Sequence, residues 1–239
     1  MVTRIDIALT PAEALLLPLA DCYIVIDALR ATTTIAALFH GGLRQLTVVA
    51  EIARGRSLRP GPGVLLFGEE GGLRPEGFDY GNSPAEAASL DVDGAEAVLV
   101  TSNGTVALCA VAGRGVTVAG SLANISAIAD FALKHGTVML VCAGNGGARR
   151  FSLEDFAVAA AFVRQVSSAS GRAELGDAAL LASRIAAPDE LVRASEHAEV
   201  TRRLGFAADI EYAMQRDIAP SIPVVTSFGD GLAVLQNRL

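Results

Sequence analysis

The 239-residue chain is poor in lysine, histidine, cysteine and aromatic residues. Its single lysine, Lys134, stands against eighteen arginines and is followed by His135 rather than Ser or Thr, so there is no Walker-type nucleotide loop. His40, His135 and His197 lack the HExxH spacing of a zinc protease and are read as structural. Cys22, Cys109 and Cys142 are too few and too widely spaced for a disulfide framework or a CxxC zinc site, and a reducing cytoplasm is the expected compartment. Cys142, closing an apolar run, reads as an inert core thiol. No G-x-G-x-x-G follows a strand-like run, which disfavours a nicotinamide cofactor. The formal charge of -7 leaves no basis for sequence-independent nucleic-acid binding. The opening MVTRIDIALTPAEALLLPLA lacks the layout of a secretory signal. The longest uncharged stretches are interrupted by Thr101-Ser102-Asn103-Gly104 and by Ser121 and Asn124, so no membrane partner is expected.

What is present is 51% hydrophobic and 19% charged, the composition of a chain that folds around a core. Short apolar runs at 22–26, 46–50, 64–67, 97–100, 116–119 and 138–142 read as strands buried on both faces. Between them, 32–39, 84–90, 105–111, 121–134 and 153–166 read as helices. Gly41-Gly42 stops the first helix, Ser83 before Pro84 is an N-cap followed by a first-turn proline, and Ser121 and Ser152 are further cap candidates. After Gly171 the pattern changes to helices at 177–186, 189–204 and 208–216, then strands at 224–226 and 233–236. The expected fold is α/β, with a largely parallel sheet flanked by helices, a C-terminal helical extension and a final strand. Residues 1–170 form the α/β core carrying most of the site, and 171–239 pack on it as the extension, with 167–171 as the connection.

In open α/β sheets ligands gather beyond the carboxyl ends of the strands. Four such ends are polar: Asp27-Ala28-Leu29-Arg30-Ala31-Thr32-Thr33-Thr34, Gly68-Glu69-Glu70-Gly71-Gly72, Thr101-Ser102-Asn103-Gly104-Thr105, and Ala143-Gly144-Asn145-Gly146-Gly147. Asp27 and Glu69 are hard oxygen ligands of the kind that hold Mg²⁺, and Arg30 offers a planar fork to a phosphate or sulfonate. The threonines, Asn103, Gly104 and Thr105 sit at helix starts, where hydroxyls and free N–H groups meet an anion. Together they describe an anion site with a metal, and phosphoryl transfer suits it. Taken singly, each has a plainer role: Asp27 as an N-cap, Arg30 as a surface ion pair, Asn103-Gly104 as a turn, Glu154-Asp155 as an acidic first helical turn.

As a set, three segments are distinctive: Val25-Ile26-Asp27-Ala28-Leu29-Arg30-Ala31-Thr32-Thr33-Thr34, Gly77-Phe78-Asp79-Tyr80-Gly81-Asn82-Ser83-Pro84, and Thr101-Ser102-Asn103-Gly104-Thr105. Cys142-Ala143-Gly144, Phe151-Ser152-Leu153-Glu154-Asp155, Gly176-Asp177-Ala178-Ala179, Ser195-Glu196-His197, Leu204-Gly205-Phe206 and Asp209-Ile210-Glu211 extend the pattern. In these the chain resembles the 2-phosphosulfolactate phosphatase family over nearly its whole length. The resemblance implies a Mg²⁺-dependent hydrolase converting (2R)-2-phospho-3-sulfolactate to 3-sulfolactate and phosphate, a step of coenzyme M biosynthesis. It also implies site roles for Asp27, Arg30, Glu69, Ser83, Asn103, Glu154 and Asp155. The doubly basic Gly146-Gly147-Ala148-Arg149-Arg150 departs from the shorter glycine-rich link of the family, which bears on the substrate.

Asp27-Ala28-Leu29 lacks the second carboxylate of an Asp-x-Asp phosphatase, which favours attack by a Mg²⁺-activated water over an aspartyl-phosphate at Asp27. The expected metal set is Asp27 and Glu69 with Glu154 and Asp155, Asp155 serving as third ligand or general base. Arg30, Thr32, Thr33, Ser83, Asn103, Gly104 and Thr105 are expected to hold the small anionic phosphoester, and Arg150 its sulfonate or carboxylate end. A phosphatase of another small acidic phosphoester and a non-catalytic anion-binding protein are the alternatives. A homodimer is the base expectation for such an enzyme.

Overall fold

The computed structural model describes residues 1–58, 63–171 and 173–239. The chain enters through β1 (Arg4–Ala8), α1 (Pro11–Leu16), β2 (Cys22–Ile26), α2 (Ala31–His40), β3 (Gln45–Val49) and α3 (Ile52–Ser57). It continues through β4 (Val64–Gly68), α4 (Pro84–Ala87), β5 (Glu96–Val100), α5 (Gly104–Val111), β6 (Val116–Ala119), α6 (Ile125–Ala132) and β7 (Thr137–Cys142). The 18-residue α7 (Leu153–Ser170) leads into β8 (Glu174–Leu175), α8 (Asp177–Ser183), α9 (Pro188–Ala194), α10 (Glu196–Arg203) and α11 (Ala207–Ala213). A hairpin, β9 (Pro223–Gly229) and β10 (Leu232–Asn237), ends the chain.

The ten strands of the described residues share one sheet, in the order β4-β5-β3-β10-β9-β6-β2-β7-β1-β8. Two blocks are internally parallel, β4-β5-β3 and β6-β2-β7-β1-β8. Between them the β9–β10 hairpin pairs antiparallel on both sides, β10 with β3 and β9 with β6. Three antiparallel junctions in a row reverse the strand direction from one block to the other. The last strands of the sequence therefore join the sheet at its interior, not at its edge.

The sheet is covered on both faces, as near-continuous apolar runs require. In β2 every residue is buried, and alternation sends Cys22, Ile24 and Ile26 to one face and Tyr23 and Val25 to the other. The first set packs with α6 and α7, through residues such as Ile128, Phe156 and Phe162. The second packs with α2 and α5, through Ile35, Leu38, Ala107 and Leu108. Each fully buried Ile or Phe of this kind contributes roughly 1.5–3 kcal/mol.

The α/β architecture with its C-terminal helices and final strands is the expected one, and some details differ. β1 lies in the opening segment, where Ile5 and Ile7 are buried between the more exposed Arg4 and Asp6; its period-two pattern is a strand signal. The expected helix 189–204 is broken at Ser195, whose extended backbone ends α9 and whose Oγ accepts from Ala198 N at 3.0 Å to start α10. Helix 121–134 divides into a 3₁₀ turn, Leu122–Asn124, and α6. The expected connection at 167–171 is the last turn of α7, ended by Gly171 at φ +79°. No helix among the described residues is long and apolar enough to cross a membrane.

Candidate active site

Loops after β2 and β7, from one block, meet loops after β4 and β5, from the other, around a cavity of 390 Å³ closed on one side by α10. Of the residues expected at the site, Asp27, Arg30, Glu69, Asn103 and Arg150 line it.

Asp27 follows the buried β2 and is itself buried. Its Oδ1 accepts from Ala31 N at 3.2 Å, so it holds the first N–H of α2 from four residues back, although the N-cap position itself is Arg30 and not Asp27. Thr32 clamps the main chain of Asp27 from both sides: its Oγ1 accepts from Asp27 N at 3.0 Å and donates to Asp27 O at 2.9 Å. Thr33 Oγ1 donates to Ala28 O at 2.9 Å, and Thr105 Oγ1 to Thr101 O at 2.9 Å. Thr32, Thr33 and Thr105 are fully buried, so these hydroxyls, expected to face a phosphate, are turned inward to satisfy buried carbonyls of the tight loops. At Gly104 a Cβ would lie 2.6 Å from Asp27 Oδ2. Gly104 thus lets the start of α5 come against the carboxylate from beneath.

Glu69 is held by the main chain, its Oε1 accepting from Ser102 N at 2.6 Å and its Oε2 from Gly72 N at 2.7 Å. Asn103 Oδ1 accepts from Gly147 N at 3.0 Å and Ala148 N at 2.9 Å, which joins the loop after β5 to that after β7.

Arg30 is held by two side chains and a main-chain carbonyl. Its Nη1 donates to Asp209 Oδ2 at 2.8 Å, its Nη2 to Gly72 O at 2.6 Å, and its guanidinium lies 4.4 Å from the centre of the Phe206 ring. With side chains only 4% and 2% exposed, Arg30 and Asp209 form a buried ion pair. Ser83 caps α4 and donates to the other oxygen of Asp209, so it stands behind Arg30, off the cavity wall. Two of the five guanidinium N–H groups are thereby used, and the other three make no hydrogen bond among the described residues.

Glu154 and Asp155 also stand behind the wall rather than on it. Asp155 is buried and accepts from Ala28 N at 2.9 Å and Gly144 N at 3.1 Å, bracing the ends of β2 and β7. Glu154 Oε1 lies 3.2 Å from His197 Nδ1, which is 2.6 Å from Asn145 Oδ1. His197, read as structural in the sequence, is on the cavity wall.

This crowding sets the charges. Burial pushes the Asp27 carboxyl up to about 6, with Glu69 and Glu154 adding to the rise and His197 opposing it. Burial also raises Asp155 well above the usual carboxylate range, helped by Glu154 and Asp27. For Glu154 burial acts upward, but the hydrogen bond and charge of His197 outweigh it and hold the carboxyl below its ordinary value. For His197 burial acts downward, and Glu154 reverses it, so the imidazole is held above its ordinary value. No three His, Cys, Asp or Glu side chains among the described residues converge as a metal cage. Mg²⁺ asks for less, one or two carboxylates with waters and substrate oxygens. Asp27 and Glu69 are buried carboxylates on the wall, and the cost of burying Asp27 charged is the kind a cation relieves.

Asn145 lies in a polar strand-end segment already named, whereas Asp209, Phe206, Asn82 and His197 were not given a site role by residue chemistry. Their signal was their place in the motif strings; which strand-end loop each would meet depends on how the helices after β8 fold back.

A family model described as 2-phosphosulpholactate phosphatase matches residues 8–227. Among curated proteins, one from Thermotoga petrophila is 35% identical over 209 residues, covering 85% of this chain and 88% of the relative. One from Carboxydothermus hydrogenoformans is 35% identical over 204 residues, covering 84% of each chain. A third, from Deinococcus radiodurans, is 36% identical over 219 residues, covering 88% of this chain and 90% of the relative. All three carry the name "Probable 2-phosphosulfolactate phosphatase".

Proposed function

The chain belongs to the 2-phosphosulfolactate phosphatase family, and from that premise we propose that it is a Mg²⁺-dependent phosphatase that hydrolyses 2-phospho-3-sulfolactate to 3-sulfolactate and phosphate. The observation that carries the reading is the meeting of Asp27, Arg30 and Glu69, from loops of both sheet blocks, on one cavity wall. Asp27 and Glu69 would hold the metal. When bound, Mg²⁺ supplies positive charge against the phosphoryl oxygens.

The remaining work falls to the protein. Arg30 directs its unused N–H groups at the phosphate, where charge spreads in the transition state, and Asp209 and Phe206 keep the fork in plane. In the reaction the oxygen of water bonds to phosphorus, the bond from phosphorus to the ester oxygen breaks, and the ester oxygen leaves with a proton. Arg150, 69% exposed at the mouth of the cavity and 3.5 Å from Glu196, would meet the second anionic group of the substrate. Loosely held as it is, a single guanidinium accepts either a sulfonate or a carboxylate.

The test is phosphate release from phosphosulfolactate, phosphomalate and phospholactate, with excess EDTA and after Mg²⁺ is restored. The expected result is metal-dependent release, fastest from the substrates with a second anion. Full activity in chelator would remove Mg²⁺ from the account, and no release from any of the three would remove this substrate class.

A further inference from the structure

Two capped helix starts meet at the cavity wall. Ser152 opens α7 and Ser195 opens α10, each accepting from the N–H three residues on, which puts Glu154 and His197 in the first turns of their helices. His197 Nδ1 lies 3.2 Å from Glu154 Oε1 and 2.6 Å from Asn145 Oδ1, while Asn145 Nδ2 donates to the same Glu154 oxygen at 3.4 Å. Both neighbours of Nδ1 are acceptors, so Nδ1 carries a proton and donates it there. Nε2, on the other edge of the ring, makes no hydrogen bond among the described residues. The unpaired polar side-chain atoms closed to water among those residues are Asn82 Oδ1, Arg114 Nε and Ser167 Oγ, and Nε2 is not one of them. His197 lines the cavity with 26% of its side chain exposed. An imidazole held in this way presents one exchangeable position, Nε2, to the occupant.

The hydrolysis proposed above, on which this step rests, needs a proton at one atom. In a loose transition state the ester oxygen takes up the electron pair of the breaking bond, and an alkoxide leaves poorly unless a proton reaches it. Among the charged side chains on the wall, Asp27 and Glu69 would hold the metal, the guanidinium groups of Arg30 and Arg150 do not give up a proton, and Glu196 stands 81% exposed against Arg150 at the mouth. We infer that His197 is the catalytic acid: Nε2 gives its proton to the ester oxygen as that oxygen leaves phosphorus, and Glu154 is the positioning residue that fixes the ring through Nδ1. The oxygen of water forms the new bond to phosphorus and sheds a proton to solvent, and Nε2 takes one up before the next turnover. Glu154 is thereby spent on the histidine and not on the metal. Burial and the charge of Arg30 act against the charged imidazole, and Glu154 and Asp27 outweigh them, which favours the loaded form.

The experiment compares two esters with Mg²⁺ present: phosphosulfolactate, whose alkoxide needs a proton to leave, and 4-carboxyphenyl phosphate, whose phenoxide leaves without one. His197→Asn keeps an N–H for Glu154 and removes Nε2. Its kcat on the alkyl ester is expected to fall about 10²-fold, the scale of general acid catalysis, while KM and the rate on the aryl ester stay within a few-fold of wild type. A merely structural role would slow both esters alike, and a role in holding the second anion would raise KM for both; a uniform loss, an effect on KM alone or an unchanged rate each overturns the inference. The second readout is the pH dependence of kcat on the alkyl ester. Because the protonated imidazole is the active form, the rate is expected to decline on the alkaline side, and Glu154→Gln, which removes the charge that raises the imidazole, is expected to move that decline about one pH unit lower. A decline that stays in place overturns the inference, and this readout decides if His197→Asn fails to fold or if wild type spares the aryl ester. If wild type releases phosphate from none of the substrates, the phosphatase reading falls with the inference; release that His197→Asn leaves undisturbed strikes the inference alone.

Discussion

Asp27 and Arg30 are three residues apart in one loop, yet they are held in opposite ways. Asp27, like Glu69 and Asn103, is gripped by main-chain N–H groups of the strand-end loops. Arg30 depends on Asp209 and Phe206 from the helical region near the C-terminus, as Glu154 depends on His197 of α10. The sheet side thus builds acceptors whose places follow from the backbone. The helical side supplies the partners that make a buried cation and a buried carboxylate tolerable. Backbone-fixed groups should survive loss of a helical side chain, whereas Arg30 should not.

The sharpest break on the sheet side is Asp27→Asn, which keeps the shape and removes the charge that would bind the cation. Phosphate release should fall by about 10³-fold, several kcal/mol of lost charge stabilisation, with no recovery at high Mg²⁺. A variant with unchanged rate and Mg²⁺ response would leave Asp27 as the acceptor of the first N–H of α2 and nothing more.

On the helical side, Asp209→Ala strands the Arg30 charge in a buried site. Urea unfolding should show a loss of roughly 3–5 kcal/mol, the cost of breaking a buried pair by removing one partner. Loss within the range of a surface substitution would mean that Gly72 O and Phe206 suffice to hold Arg30. Arg30→Lys keeps the charge but cannot span Asp209, Gly72 O and the Phe206 ring while presenting a fork to phosphate. A fall in kcat/KM worth about 2–4 kcal/mol is expected, on the scale of a lost oxyanion donor; full activity would make Arg30 structural.

The smallest effect belongs to the mouth of the cavity. Arg150 and Glu196 have side chains 69% and 81% exposed, so their pairing should add little stability. Arg150→Ala should leave the unfolding midpoint in place and raise KM several-fold for substrates with a second anion, with little change for phospholactate. Equal losses on all three substrates would show that Arg150 does not read that second anion.

Much of this was legible in one dimension. The runs that form β2, β4, β5, β6 and β7 are apolar because both of their faces are covered, and the polar residues at their ends could be named as site candidates before any geometry. Ser83 and Ser152 carry helix starts through a local side-chain bond, which short-range sequence expresses directly, whereas Ser195 does the same inside a stretch that reads as one helix, 189–204. The threonines misled for a physical reason: a hydroxyl at a helix start can face a ligand or its own loop, and residue type does not distinguish the two.

Sequence by itself determined the α/β class, the strand ends that bear the chemistry and the family, because these rest on local pattern and on strings of residues that hold their order. Only the tertiary structure decided that the β9–β10 hairpin enters the middle of the sheet and reverses one block against the other, and that four loops from these oppositely running blocks still meet around one cavity. It likewise decided that Asp209 and Phe206 complete Arg30 from 179 and 176 residues away, and that His197 faces Glu154. Such pairings depend on where long-range chain returns bring groups together, and a buried charge reveals its partner only once the elements that carry both have packed.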